Sequence, residues 1–170
     1  MPNWSDILQQ IQTVQLQHQQ ASAQHQFHAN NAITSVRHAY LKKLHERTSR
    51  NIIAYYSGFL SKRVAGVEIN DEDKNGFMMA VHRMDRAKGL DLIIHTPGGG
   101  ITSTQSIVDY LHRMFRKEKH SVPDIRAIVP QISMSAGTML ACSCKEIWMG
   151  KHSNLGPIDP QINGAPAYGV

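Results

Sequence analysis

Cysteine is scarce. Only Cys142 and Cys144 occur in 170 residues, in the stretch ACSCKE. One intervening residue is too short a span for an unstrained disulfide, so the fold is not covalently stapled. A Cys-x-Cys pair without further ligands also makes a poor zinc site. Both thiols are expected to be small, mostly buried groups in a reducing compartment. Long apolar runs are missing too: nothing approaches the ~18 residues a membrane helix needs. The opening MPNWSDILQQ has neither the basic start nor the apolar run of a secretory signal. The expectation is a soluble, cytoplasmic protein with no membrane span. Its net charge of +5 is spread along the chain, and the densest cluster, RKEKH from Arg116 to His120, reads as a solvated helix end rather than a nucleic-acid grip.

Glycine and proline are absent from residues 3–49, which hold most of the glutamines and many of the histidines. Ile7, Leu8, Ile11, Val14 and Leu16 recur near helical spacing, as do Ile33, Val36, Tyr40, Leu41 and Leu44. This predicts an N-terminal helical arm over 3–49, one helix or two, interrupted near HANNA. Its narrow apolar stripe suits a packing arm or a homo-oligomer contact. His18, His25, His28, His38 and His45 have no acidic or cysteine partners, so they read as solvated helix-face residues, and no metal or other cofactor is expected.

From Asn51 the pattern changes. NIIAYYSGF is β-branched and aromatic, hence a strand. INDEDKNGFMMAVHRMDRAKG offers Asn/Asp caps, aligns Phe77, Val81 and Met84, and stops at Gly89. LDLIIH is a strand buried on both faces. A helix over 101–119 turns Ile107, Leu111, Met114 and Phe115 inward. DIRAIVP is a strand, SAGTMLACS a short helix and EIWMG a fourth strand. Alternation of this kind predicts an α/β domain over 51–170 with a parallel sheet and right-handed crossovers.

Ligands of such sheets sit beyond the carboxyl ends of the strands. Two loops of small residues leave that edge, HTPGGG after the second strand and PQISMSAGT after the third. Ser135 stands at a helix start, where serine is a common N-cap. It is equally well placed as a nucleophile, because the following amide, of Ala136, lacks an intrahelical acceptor and faces the helix N-terminus. Ser133 is a nearby competitor without a glycine two residues later. In the other loop Gly99, flanked by Gly98 and Gly100, can offer a second amide to the same oxyanion. The stretch PGGGITST lacks the Gly-Lys-Ser/Thr ending of a phosphate-binding loop.

These segments carry a resemblance. LIIHTPGGGITSTQSIVDYL resembles the oxyanion segment of the Clp protease and signal peptide peptidase A families, and VPQISMSAGTMLACSCKEIWMGKHSNLGPIDPQ resembles their nucleophile segment. NIIAYYSGFLSK and SNLGPIDPQ extend the likeness to the serine dehydrogenase proteinase family. The resemblance implies a Clp/crotonase-type fold of stacked β-β-α units, a nucleophile at Ser135 and oxyanion amides at Gly99 and Ala136.

The proton acceptor is not obvious. Lys145 lies ten residues on, roughly 15 Å away if the helix continues. His152 follows a strand that should run back toward the active edge, so it is the candidate base, against a plain exposed loop histidine. Clp proteases place a histidine where this chain has Asp159, and after His152 there is no lysine or histidine. Either the chain is a truncated or short form, or the base is His152 or comes from a neighbouring subunit.

The leading expectation is a serine endopeptidase acting on a peptide or protein substrate through an acyl-enzyme. A crotonase-type acyl-CoA hydratase or isomerase shares the two-amide trap, although neither loop carries a glutamate. A catalytically inactive oligomeric assembly module is the third.

Overall fold

The computed structural model describes residues 4–21, 28–61, 65–159, 161–162 and 165–166, with side chains described for 4–17, 32–61 and 65–159. The chain separates into two compact units, Met1–Ser49 and Arg50–Val170.

The first unit is a pair of helices, α1 (Trp4–Ala21) and α2 (His28–Thr48). Of the one helix or two expected, two are present, and the second opens at the HANNA stretch. Tyr40 donates to Gln10 Oε1 at 3.1 Å, tying α2 to α1. Ala32 and Val36 are buried, while Leu8, Leu16 and Ile33 stay exposed. His38 and His45 are exposed; the side chains of His18, His25 and His28 lie outside the described residues.

The second unit is built on a four-stranded parallel sheet, β1 (Asn51–Tyr56), β2 (Leu90–His95), β3 (Ile125–Val129) and β5 (Glu146–Met149), in the order β1-β2-β3-β5. Between them run α3 (Asp71–Val81), a 3-10 turn (Arg86–Lys88), α4 (Ile101–Phe115), β4 (Ile132–Ser133) and α5 (Ala136–Cys142). After β5 come β6 (Asn154–Leu155) and the short pair β7 (Gln161–Ile162) and β8 (Ala165–Pro166). The two-residue strands β4 and β6 pair in parallel as a second, smaller sheet. The chain thus runs from β3 on the large sheet to β4 on the small one and into α5, and from β2 through a Thr96–Ser133 bridge into α4. This is the β-β-α layout that the resemblance implies.

The apolar pattern sets the layers. Leu90, Leu92 and Ile94 of β2 and Ile125, Ala127 and Val129 of β3 point to one face and are buried. Thr104, Ile107, Leu111 and Phe115 of α4 form one helical stripe in the same core, with Phe77 and Val81 of α3. Met84 and Met114 pack only partly buried against it.

Three local expectations change. Asn70 caps α3 as the Asn/Asp candidates suggest, accepting the Glu72 amide at 2.8 Å while Asp73 accepts the Asn70 amide at 2.9 Å, but α3 ends at Val81 and it is the separate 3-10 turn that Gly89 stops. α4 ends at Phe115 rather than Lys119, because the Phe115 carbonyl accepts the Asp124 amide at 3.0 Å and residues 116–119 have no apolar side to bury. Cys142 is exposed and Cys144 only partly buried, so the pair is not jointly buried: α5 is a single short helix whose last residue faces out.

The amino end of the sheet is held by charge. Asp91 is fully buried, with Arg50 Nε at 2.7 Å and an Arg126 nitrogen at 2.6 Å on its two oxygens. Arg50 also reaches Asp124 at 3.0 Å, and the Arg126 guanidinium lies 3.6 Å from the centre of the Trp148 ring. A buried carboxylate needs such partners, since an unpaired one costs several kcal/mol. Lys145 acts on Asp124 at this same end, opposite the glycine loop.

Candidate active site

β2 carries the chain directly into the small sheet. Thr96 bridges Ser133 in parallel: its amide donates to the Ile132 carbonyl at 3.3 Å and its carbonyl accepts the Met134 amide at 3.1 Å. The two loops singled out in the sequence therefore leave neighbouring strands on one edge.

The turn at Ser135 is sharp. The Gly137 amide donates to the Met134 carbonyl at 2.8 Å, closing a four-residue turn with Ser135 and Ala136 at its centre. Ser135 has φ 49° and ψ −118°, close to the first central position of a type II′ turn, about (+60°, −120°), where glycine is the favoured residue. Holding serine there costs of order 1–3 kcal/mol, a strain typical of functional turns. Its hydroxyl makes no capping bond to α5, so the N-cap reading does not use it. Ser133 is a different case: it is fully buried, and among the described residues its hydroxyl has no hydrogen-bond partner.

The glycine turn comes up against this corner. Gly98 has φ +100°, and a Cβ there would stand 2.6 Å from the Met134 carbonyl oxygen, 2.8 Å from Ser135 Cβ and 3.1 Å from the Ala136 nitrogen. Only glycine lets the backbones approach so closely. The Gly98 amide donates to Thr96 Oγ1 at 3.2 Å. The Gly98 carbonyl accepts the Ile69 amide at 2.8 Å and the Gly100 amide donates to the Ile69 carbonyl at 2.9 Å. Gly99 lies between those two bonds, so its own N–H projects away from Ile69. Among the described residues, neither the Gly99 nor the Ala136 amide has a hydrogen-bond acceptor. A Cβ on Gly99 would overlap the backbone of Ile69.

A cleft of about 570 Å³ opens over these turns, with Gly98, Gly99 and Ser135 in its wall beside Glu68, Ile101 and Asp159. Gly100, behind Gly99, is instead the N-cap of α4. Ser135, Gly98, Gly99 and Ala136 are thus brought together. His152 is not among the cleft-lining residues; it stands exposed in the turn between β5 and β6. Among the described residues no lysine or histidine lines the cleft, and its ionisable side chains are Glu68 and Asp159. His95, at the end of β2, is directed elsewhere: its ring lies 5.1 Å from that of Phe59. Burial lowers its pKa, partly offset by a bond to the Ile132 backbone.

Sequence reasoning missed Glu68, because it precedes α3 and lies far along the chain from both loops. It also missed the structural part played by Thr96. The hydroxyl within HTPGGG was the available signal, since a threonine just before Pro-Gly-Gly can take up a glycine amide.

The sequence profile of the ClpP-like SDH-type serine proteinases matches residues 23–170. Two proteins of Methanocaldococcus jannaschii, each described only as uncharacterized, are similar as well. One is 36% identical over 102 residues, covering 60% of this chain and 33% of its own length. The other is 35% identical over 102 residues, covering 60% and 32%. The chain spans about a third of the length of these curated relatives. No helix among the described residues is long and apolar enough to cross a membrane.

Proposed function

Since this chain belongs to the ClpP-like SDH-type serine proteinase family, we propose that it is a peptidase in which Ser135 attacks the scissile carbonyl and the Gly99 and Ala136 amides receive the oxyanion. The observation that carries this reading is a strained, uncapped serine that shares a cleft wall with Gly99, with the acceptor-free amides of Gly99 and Ala136 close by it. The carbonyl oxygen becomes negative as Ser135 Oγ adds, and fixed N–H donors cost no reorganisation at that moment. With α5 only seven residues long, the stabilisation is assigned to the two amides more than to a helix dipole. The leaving amine takes a proton, and water then hydrolyses the acyl-enzyme.

The serine proton needs an acceptor. A carboxylate is a weak base for a hydroxyl, so Asp159 is assigned an orienting role toward a stronger base or toward the substrate amine. His152 would have to swing from its exposed turn, or a second copy would have to supply the base. The site is proposed to act in the cytoplasm on an extended peptide or protein, with no cofactor.

One observation favours the hydratase reading: Glu68 lines the cleft and could move protons for an acyl thioester. A fluorophosphonate probe separates the two. Covalent labelling mapped to Ser135 by mass spectrometry, and lost in Ser135→Ala, supports the peptidase. A silent serine together with turnover of an enoyl-CoA, abolished in Glu68→Gln, supports the hydratase.

A further inference from the structure

We propose that Thr96 is a positioning residue that sets the two oxyanion amides relative to Ser135; the inference rests on the peptidase reading above. Thr96 is fully buried and does not line the cleft. It nonetheless holds three elements at once. Its main chain bridges Ser133 of β4, two residues before the nucleophile. Its hydroxyl oxygen accepts the Gly98 amide at 3.2 Å. Its methyl group fills the space that a Cβ on Gly137 would take, which seats the first turn of α5.

The hydroxyl decides which glycine amide faces the cleft. Gly98 is buried, and Thr96 Oγ1 is the acceptor of its N–H. Removing that oxygen leaves a buried donor unsatisfied, which drives it to find another partner. Gly98 sits at φ +100°, a backbone region in which glycine has more freedom to turn than other residues. If it turns, its N–H swings toward the cleft and the next amide, of Gly99, loses its aim. Thr96 would then act on the reaction through Gly98 and Gly99 without touching substrate. The Cβ space at Gly98 is already occupied by Ser135 and Met134, so such a turn also presses on the nucleophile corner.

The test compares Thr96→Val, which keeps the branched shape and removes the oxygen, with Thr96→Ser, which keeps the oxygen and removes the methyl. Three quantities are measured on the full chain: the kinetics of Ser135 labelling by a biotinylated fluorophosphonate, the deuterium exchange of the Gly98 amide, and the thermal midpoint. Thr96→Val should lower the limiting labelling rate on the order of 10- to 100-fold. The half-saturating probe concentration should stay unchanged, and the Gly98 amide should exchange faster. Thr96→Ser should restore both the rate and the protection, even if its thermal midpoint falls as far. A merely structural residue would slow the two variants in step with their lost stability. Labelling of Thr96→Val at the wild-type rate, or of Thr96→Ser as slowly as Thr96→Val, overturns the proposal. If the wild-type chain takes no label, the peptidase reading has failed, and exchange alone decides the role of Thr96: Gly98 protection unchanged in Thr96→Val overturns it, and protection lost in that variant but kept in Thr96→Ser supports it. Should Thr96→Val not fold, Thr96→Cys, a weaker acceptor in similar space, provides the same contrast.

Discussion

Gly98 and Ser135 meet across two turns that lie 37 positions apart in the chain: a Cβ on Gly98 would stand 2.8 Å from Ser135 Cβ. The contact is possible because Gly98 has no side chain and because Ser135 occupies a backbone conformation that glycine would adopt more easily. The site is therefore a joint between two backbones before it is a set of side chains.

That joint separates function from stability at Ser135. Ser135→Ala should abolish labelling and leave folding intact. Ser135→Gly should abolish it too, yet be more stable than Ser135→Ala by about 0.5–1 kcal/mol, since relief of the positive φ outweighs glycine's greater unfolded-state entropy. Urea unfolding of the two variants measures the difference, and equal midpoints would contradict the strain.

The glycine turn should respond from its far side. The sequence suggests that Gly99→Val blocks the oxyanion trap directly. The structure puts the obstruction elsewhere, since a Cβ on Gly99 meets the backbone of Ile69. Gly99→Val should therefore push the turn off Ile69, lowering both stability and the labelling rate. Gly98→Ala should cost about 1–3 kcal/mol through its positive φ alone. Either variant labelling normally at native stability would argue against this geometry.

Stability should fall in acid at the far end of the sheet. Desolvation alone would raise the pKa of Asp124, but the hydrogen bond and charge of Arg50, aided by Lys117 and Lys145, hold it below the usual carboxylate range. A native pKa below the unfolded one means that this contribution is complete above the unfolded value, about 4. It is lost as pH falls through the native value. Unfolding free energy should drop more steeply below about pH 4 for the wild type than for Asp124→Asn. Parallel slopes in pH-dependent denaturation would remove Asp124 from the account.

The proposal extends to the helical arm as a contact for self-association. Deleting residues 3–49 should shift the oligomer size in solution, read by light scattering. An unchanged mass would count against the arm as the contact.

Much of this was legible in the chain. A short apolar run marks β2 and a period-3.6 stripe marks α4, because both pack into one core. Gly98, Gly99 and Ser135 stand out because small residues cluster where two segments meet. The two-residue strands β4 and β6 were not legible, since two residues carry no periodicity, and their pairing with each other and the bridge from β4 to Thr96 are tertiary. The end of α4 at Phe115 was not legible, because a tertiary hydrogen bond sets it. Glu68 joins the site only through the Ile69–Gly99 bridge, which sequence spacing does not reveal.

The most direct measurement is a crystal structure of the chain after reaction with a small fluorophosphonate. The account predicts phosphorus on Ser135 Oγ and the phosphonyl oxygen about 2.7–3.1 Å from both the Gly99 and Ala136 nitrogens. An unmodified Ser135, or an adduct whose oxygen lies out of reach of either amide, would contradict it.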